Sequence, residues 1–284
     1  MAFTLKPLTP HMGVELTDFD PREPFDDATA RDLYDLIKRH RVLLFRAKPL
    51  TEEQQVRLTC VAGEVTYRGG GNYADPEMKS WMVSNYHADG QFGNGELSFH
   101  SDLSFTPHML KARSLHGIAV PSSREAGGET LFSDVIRAYE ELDDTLKARV
   151  ENLRARFSAT YNYPDGRVET LDQMRPLIET HPFTGQRLIA ASRAVTKEVI
   201  GMEREEFRPL LKQLWAQMEK PEYVLRHSWS VGDTVLWDNI GTQHARTPFD
   251  SSEKRALRAV SVDDPSISIR AKDAANSAKL TQKA

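Results

Sequence analysis

Cysteine is almost missing from this chain: Cys60 is the one thiol in 284 residues. That excludes an intramolecular disulfide framework and any zinc site built on cysteines. Cys60 sits in a stretch of helical pattern, so it is expected as a small buried hydrophobe rather than a reactive thiol. Long apolar runs are missing as well. None approaches the roughly 20 residues of a bilayer-spanning helix, and the N-terminus carries no signal-peptide core. No G-K-[ST] follows a glycine cluster and no G-x-G-x-x-G opens a helix, so a phosphate cradle is not expected. Neither sign of charge dominates: 37 Lys and Arg stand against 41 Asp and Glu. A net charge of −4 gives no electrostatic reason to expect nucleic acid or an anionic membrane as partner. There is no internal repeat. These absences point to a cytoplasmic protein.

What is present is enough apolar residue, 39% of the chain, for one large core. Residues 1–265 read as a single domain and residues 266–284 as a polar, disordered tail. Helical spacing runs from Asp27 as cap through Leu33, Leu36 and Ile37. Val42-Leu43-Leu44-Phe45 reads as a buried strand. Thr51 with Gln54 forms a capping box for a helix that stops at Gly63. Residues 66–95 are rich in glycine and aromatics and read as a loop, interrupted by a strand at Trp81–Ser84. Strands follow at 112–120 and 130–132, then a helical pattern from Ile136 to about Arg156. Residues 160–190 look irregular, and 203–218 is an amphipathic helix. Tyr223–Trp229, Thr234–Asp238 and Arg255–Val262 read as the last strands. Short strands from both ends of the chain with helices between them predict a mainly β fold with helical cover, a double-sheet barrel whose mouth can hold a ligand.

The chemistry gathers at Ser98-Phe99-His100-Ser101-Asp102-Leu103-Ser104-Phe105. Read as a strand, alternation puts His100 and Asp102 on one face, close enough to share a cation. A facial iron(II) site needs those two and a second histidine. The spacing alone is common; His87-Ala88-Asp89 matches it inside glycine-rich loop sequence. Among nine histidines, His244 stands out. It follows the strand Thr234–Asp238 through a short turn, and Arg255 comes eleven residues later. A guanidinium near a metal is what a dicarboxylic 2-oxo acid requires, one end chelating and the other paired with the arginine. Thr130 offers a hydroxyl for the same carboxylate.

In that order, Phe-His-Ser-Asp, then Gly127-Gly128-Glu129-Thr130-Leu131, then Trp237-Asp238-Asn239, His244 and Lys254-Arg255-Ala256-Leu257-Arg258 resemble the taurine dioxygenase family. The match includes Val42–Arg46 and runs from about residue 3 to 265. The resemblance implies a double-stranded β-helix (jelly-roll, cupin-like) core and an iron(II)- and 2-oxoglutarate-dependent dioxygenase. By it, His100, Asp102 and His244 would ligate Fe(II). Arg255 and Thr130 would hold 2-oxoglutarate, with Arg258 the alternative anchor because one residue of register exchanges the two faces. With O2 as co-substrate, a C–H bond of a small molecule would be hydroxylated, releasing succinate and CO2. Asp102 argues against the halogenating variant of this chemistry. A homo-oligomer, dimer or tetramer, is the expected assembly.

Two departures from the family bear on substrate. Ala259 stands where members that bind anionic substrates carry a second arginine. Glu96 stands where taurine dioxygenase has asparagine, and so fits an amine or a neutral substrate. Glu96, Tyr67, Tyr73, Asn85 and Arg246 are the candidate substrate contacts. Two rivals use the same residues: a zinc hydrolase, which leaves Arg255 and Thr130 unexplained, and a non-catalytic jelly-roll binding module, which has no need of all three ligands.

Overall fold

The computed structural model describes residues 3–65, 79–88, 90–107, 109–162, 166 and 168–263. Tyr67, Tyr73, His108 and the tail 266–284 lie outside the described residues.

Eight strands carry the site: β1 (Trp81–Ser84), β2 (Leu97–His100), β3 (Ala112–Ala119), β4 (Thr130–Asp134), β5 (Val224–His227), β6 (Thr234–Asp238), β7 (Thr242–Arg246) and β8 (Ala256–Asp263). One sheet runs β6-β3-β8-β1 and the other β5-β4-β7-β2. Every pairing among these eight is antiparallel. Crossing between sheets while keeping this order makes a double-stranded β-helix, an eight-stranded jelly roll. Its interior is closed by apolar side chains that alternation turns inward, among them Phe132, Leu225, Val235, Trp237 and Leu257. Phe132 and Trp237 meet edge-on, 5.3 Å between centroids, joining the two sheets.

The first sheet is extended by Val42–Phe45, which pairs with β6, and then by Val14–Leu16. Its outer face lies under α1 (Asp27–His40) and α2 (Glu52–Thr59), which is why all five residues of β6 are buried. Leu33, Leu36 and Ile37 supply the buried stripe of α1, at about 1.5–3 kcal/mol each. The α1 cap is Asp26, whose carboxylate accepts from the Thr29 N–H, one residue before the expected Asp27. The Thr51–Gln54 capping box forms as read. Cys60 is exposed at the end of α2 rather than buried, because the short 3-10 turn Cys60–Ala62 carries Ala62 inward instead.

Between β4 and β5 the chain builds a second core over the outside of the small sheet, around Phe157, Leu177, Ile189, Leu210 and Leu214. Two expectations fail here. The helical pattern from Ile136 breaks into α3 (Val135–Glu140) and α4 (Asp144–Val150), because Asp143 caps a new helix. A long hairpin, Arg154–Asn162 against Val168–Pro176, runs from the end of the expected helix into residues 160–190, which were expected to be irregular. Its second strand alternates half-buried and exposed residues almost to its end, so it shows little apolar signal. The helix α5 (Arg204–Met218) completes the layer.

Candidate metal centre

His100 is the last residue of β2 and His244 the middle of β7, and the two are direct cross-strand partners. Their rings lie 4.3 Å apart between centroids. The motif expected as one strand is a strand followed by a turn. β2 stops at His100, and Leu103 takes a positive φ of 57°. Asp102 therefore reaches the histidines from the turn rather than by strand alternation. Its Oδ1 lies 3.7 Å from His100 Nε2 and its Oδ2 3.5 Å from His244 Nε2. One ligand atom from each residue falls within 4.8 Å of the others.

The turn is held by Asn239. Its Oδ1 accepts from the Asp102 N–H at 3.1 Å, and its Nδ2 donates to the carbonyls of Asp102 and Leu110. Trp237 is fully buried, 5.1 Å from the His244 ring. Asp238 accepts from the N–H groups of Ile240 and Gly241 and shapes the bend leading into β7. Each residue of the Trp-Asp-Asn run thus has a physical task near the cluster.

Hydrogen bonding leaves ligand atoms free. His100 Nδ1 lies 2.7 Å from the Ser98 carbonyl, which selects the tautomer with Nε2 bare. His244 is pushed down to about 3 by burial, against the attraction of Asp102 and helped by His100 and Arg113. Its imidazole is neutral at any working pH. Burial pushes Asp102 up, but Arg113, His244 and His100 outweigh it and hold the carboxyl below its usual range. Asp102 Oδ2 and His244 Nδ1 are buried with no hydrogen-bond partner. Two imidazoles and one carboxylate fit a borderline divalent ion with open positions.

The two candidate arginines separate. Arg255, just ahead of β8, points into the pocket, 2% exposed, while Arg258 faces α2, donating to Gln55 Oε1 and the Leu50 carbonyl at 2.7 Å each. Arg255 Nε donates to the Gly128 carbonyl at 3.1 Å, and Nη2 lies 3.5 Å from Thr130 Oγ1. No carboxylate among the described residues pairs with it. Burial, and then Arg246, push it down to about 9. The Gly127-Gly128 pair permits this approach. Gly128 has φ +77°, and a Cβ there would sit 3.3 Å from Arg255 Cδ and Nε; a Cβ on Gly127 would meet the Pro248 carbonyl at 2.2 Å. Thr130 Oγ1 also accepts from Trp229 Nε1 at 3.0 Å, so its own hydrogen is left for an incoming acceptor.

Among the proposed substrate contacts, Arg246 lines the same pocket but donates to the carbonyls of Phe92 and Gly95. Asn85 is engaged with backbone, accepting from the Arg255 N–H and donating to the Glu253 carbonyl. Glu96 is exposed and lines a separate cleft with Arg193 and Glu219. Trp81 and Phe92 also line the metal pocket, their rings 6.0 Å apart, with Phe92 at φ 71° and 48% exposed. Sequence reading passed over Arg113, whose Nη1 stands 2.8 Å from Asp102 Oδ2. A lone arginine in a buried strand next to the motif was the available signal.

A jelly roll with a histidine–aspartate–histidine cluster and a buried guanidinium defines a facial-site metalloenzyme. Comparison with known proteins agrees. The profile described as Taurine catabolism dioxygenase TauD, TfdA family matches residues 4–261. Pentalenolactone F synthase of Streptomyces avermitilis is 31% identical, over 93% of this chain and 95% of its own. The alpha-ketoglutarate-dependent 2,4-dichlorophenoxyacetate dioxygenase of Cupriavidus pinatubonensis is 29% identical, over 93% and 99%. The crystal structure of AAD-2 in complex with Mn(II) and N-oxalylglycine superposes with a TM-score of 0.80 at 27% identity, over 93% and 98%. This chain belongs to the Taurine catabolism dioxygenase TauD, TfdA family, the iron(II)- and 2-oxoglutarate-dependent dioxygenases.

Proposed function

We propose that residues 1–265 act as one oxygenase domain in which His100, Asp102 and His244 hold iron(II), and Arg255 with Thr130 binds the distal carboxylate of 2-oxoglutarate. The observation that carries this is a buried guanidinium with no acid beside it among the described residues, lining the same pocket as the histidine–aspartate–histidine triad. A buried cation without a counter-ion is costly, and a dicarboxylate chelating the metal would supply one. Iron(II) with 2-oxoglutarate and dioxygen supplies the oxidising power to place a hydroxyl on a substrate C–H bond, with succinate and CO2 released.

The chain's own residues do the rest. His100 is held by Ser98 with Nε2 presented, His244 stays neutral, and Asp102 stays ionised. Thr130 donates its remaining hydrogen and Arg255 its fork to the cosubstrate. Trp237, Phe132 and Leu115 line or back the site with apolar surface that limits water. Three arginines against one aspartate make the pocket cationic, and Trp81 and Phe92 give it an apolar side. A small organic acid with an apolar body fits this better than an amine, since Glu96 lies in another cleft. The relative named for 2,4-dichlorophenoxyacetate supports that direction. Hydroxylation is the favoured outcome. Cytoplasmic residence and a homo-oligomer complete the reading.

The test is succinate formation by iron(II)-loaded protein from 2-oxoglutarate, across a panel of small organic acids and amines. Stimulation by apolar acids, with a hydroxylated product and loss on chelation, is expected. Zinc as the bound metal, with no 2-oxoglutarate consumed, would overturn the reading in favour of a hydrolase.

A further inference from the structure

Arg113 is the pocket cation that neither the metal ligands nor the cosubstrate anchor accounts for. It lies on β3, 6% exposed, directly across the ladder from Ser261 of β8. Its Nε donates to Ser261 Oγ at 3.0 Å, its guanidinium lies 5.2 Å over the Trp81 ring of β1, and its Nη1 stands 2.8 Å from Asp102 Oδ2. Contacts on two neighbouring strands aim it at the carboxylate. Arg255 and Arg246, in the same pocket, lie against the Phe249 ring, and their guanidinium hydrogen bonds go only to carbonyl and hydroxyl oxygens among the described residues. Arg113 alone of the three faces an acid.

The second oxygen of a ligating carboxylate decides how many positions the metal keeps. Two imidazoles and one carboxylate oxygen leave three sites on an octahedral ion: two for a chelating 2-oxo acid and one for dioxygen. If the carboxylate bound through both oxygens, only the chelate would fit. Resting on the reading above, we propose that Arg113 is a positioning residue that reserves Asp102 Oδ2, so that the carboxylate meets the metal through Oδ1 alone. Swinging Oδ2 onto the metal would break an ion pair inside a buried pocket, where the guanidinium has no other acid to turn to. Ser261 is the brace of this arrangement, because it fixes the arginine's Nε edge and directs the opposite end at Asp102.

The test compares the full-length chain with Arg113→Met, Arg113→Lys and Ser261→Ala. Mn(II) affinity is followed by electron paramagnetic resonance, coordination by the visible spectrum of the Co(II)-loaded protein before and after 2-oxoglutarate, and folding by circular dichroism. Arg113→Met frees Oδ2 for the metal and removes a cation beside it, so it is expected to bind Mn(II) about 10-fold more tightly and to show an altered Co(II) spectrum. Arg113→Lys should return part of both toward the parent values, and Ser261→Ala should tighten Mn(II) binding a few-fold. A folded Arg113→Met with unchanged affinity and spectrum overturns the proposal. Should Arg113→Met fail to fold, parent-like affinity and spectra in both Arg113→Lys and Ser261→Ala overturn it equally. Failure of the parent protein itself to bind Mn(II) would instead bring down the oxygenase reading, and this proposal with it.

Discussion

Two histidine–aspartate groups lie close together in this chain and differ in how far their polar atoms are satisfied. At Asp238 the carboxylate accepts from His181 Nε2 at 3.0 Å and from the N–H groups of Ile240 and Gly241, with Arg41 at 3.9 Å. At Asp102, Oδ2 stands 2.8 Å from Arg113 off the line of a hydrogen bond, and both Oδ2 and His244 Nδ1 are buried with no hydrogen-bond partner. Both pair histidine with aspartate; Asp238 is buried, and Asp102 is half-buried with its Oδ2 sealed from solvent. The first is saturated and therefore structural; the second holds unused ligand capacity and is therefore chemical. Burial of a polar group without partners costs free energy, so such capacity is retained where something is to be bound.

The contrast breaks or holds on substitution. His244→Ala or Asp102→Ala should abolish metal binding and succinate formation. His181→Ala should leave metal affinity within about tenfold and lower stability by about 1–3 kcal/mol, the cost of an unsatisfied buried partner, read as a fall in Tm. Equal loss of metal in both would mean the two groups are not distinct. Next in size, Arg255→Met should raise the KM for 2-oxoglutarate about 10- to 100-fold, since a charge-assisted pair contributes about 1.5–3 kcal/mol. Arg258→Met should leave that KM nearly unchanged and destabilise the contact with α2 instead.

A gentler comparison is by pH, using histidines outside the cluster. His227 is pushed down to about 3 by burial, then by Arg46 and Arg255, and His116 to about 4 by burial and then Arg258. The unfolded chain binds protons near the ordinary histidine value of about 6.5 while the folded one does not. Stability is therefore full above about pH 6.5 and declines as pH falls toward 4 and 3. His227→Leu should flatten part of that slope in thermal melts of the metal-free protein. The smallest effect belongs to a saturated group far from the site: Thr51→Ala should cost about 1 kcal/mol from the lost cap and leave metal affinity unchanged.

Much of the site was legible because its residues carry chemistry that few other roles need. His100, Asp102, His244, Thr130 and Arg255 were named from residue type and order, and all five line one pocket. Arg113 was passed over and Asn239, though part of the quoted motif, was given no task, because a lone arginine and a turn asparagine have many ordinary uses. The route by which Asp102 arrives was misread too, since period-two alternation describes a strand and cannot foresee the turn that follows His100. The hairpin of 154–176 was hidden by its half-polar second strand, which lacks the apolar pattern that marks a buried one.

By itself the sequence determined the inventory of candidate ligands and two candidate guanidinium anchors on opposite faces of one strand, because these follow from side-chain chemistry and from the two-residue period of a strand; which arginine enters the pocket was decided by the fold. Only the tertiary structure decided which carboxylates are saturated and which are open, and that Arg113 faces Asp102. Those facts depend on which strands lie side by side, and pairing between residues well over a hundred positions apart is set by the packing of the whole barrel.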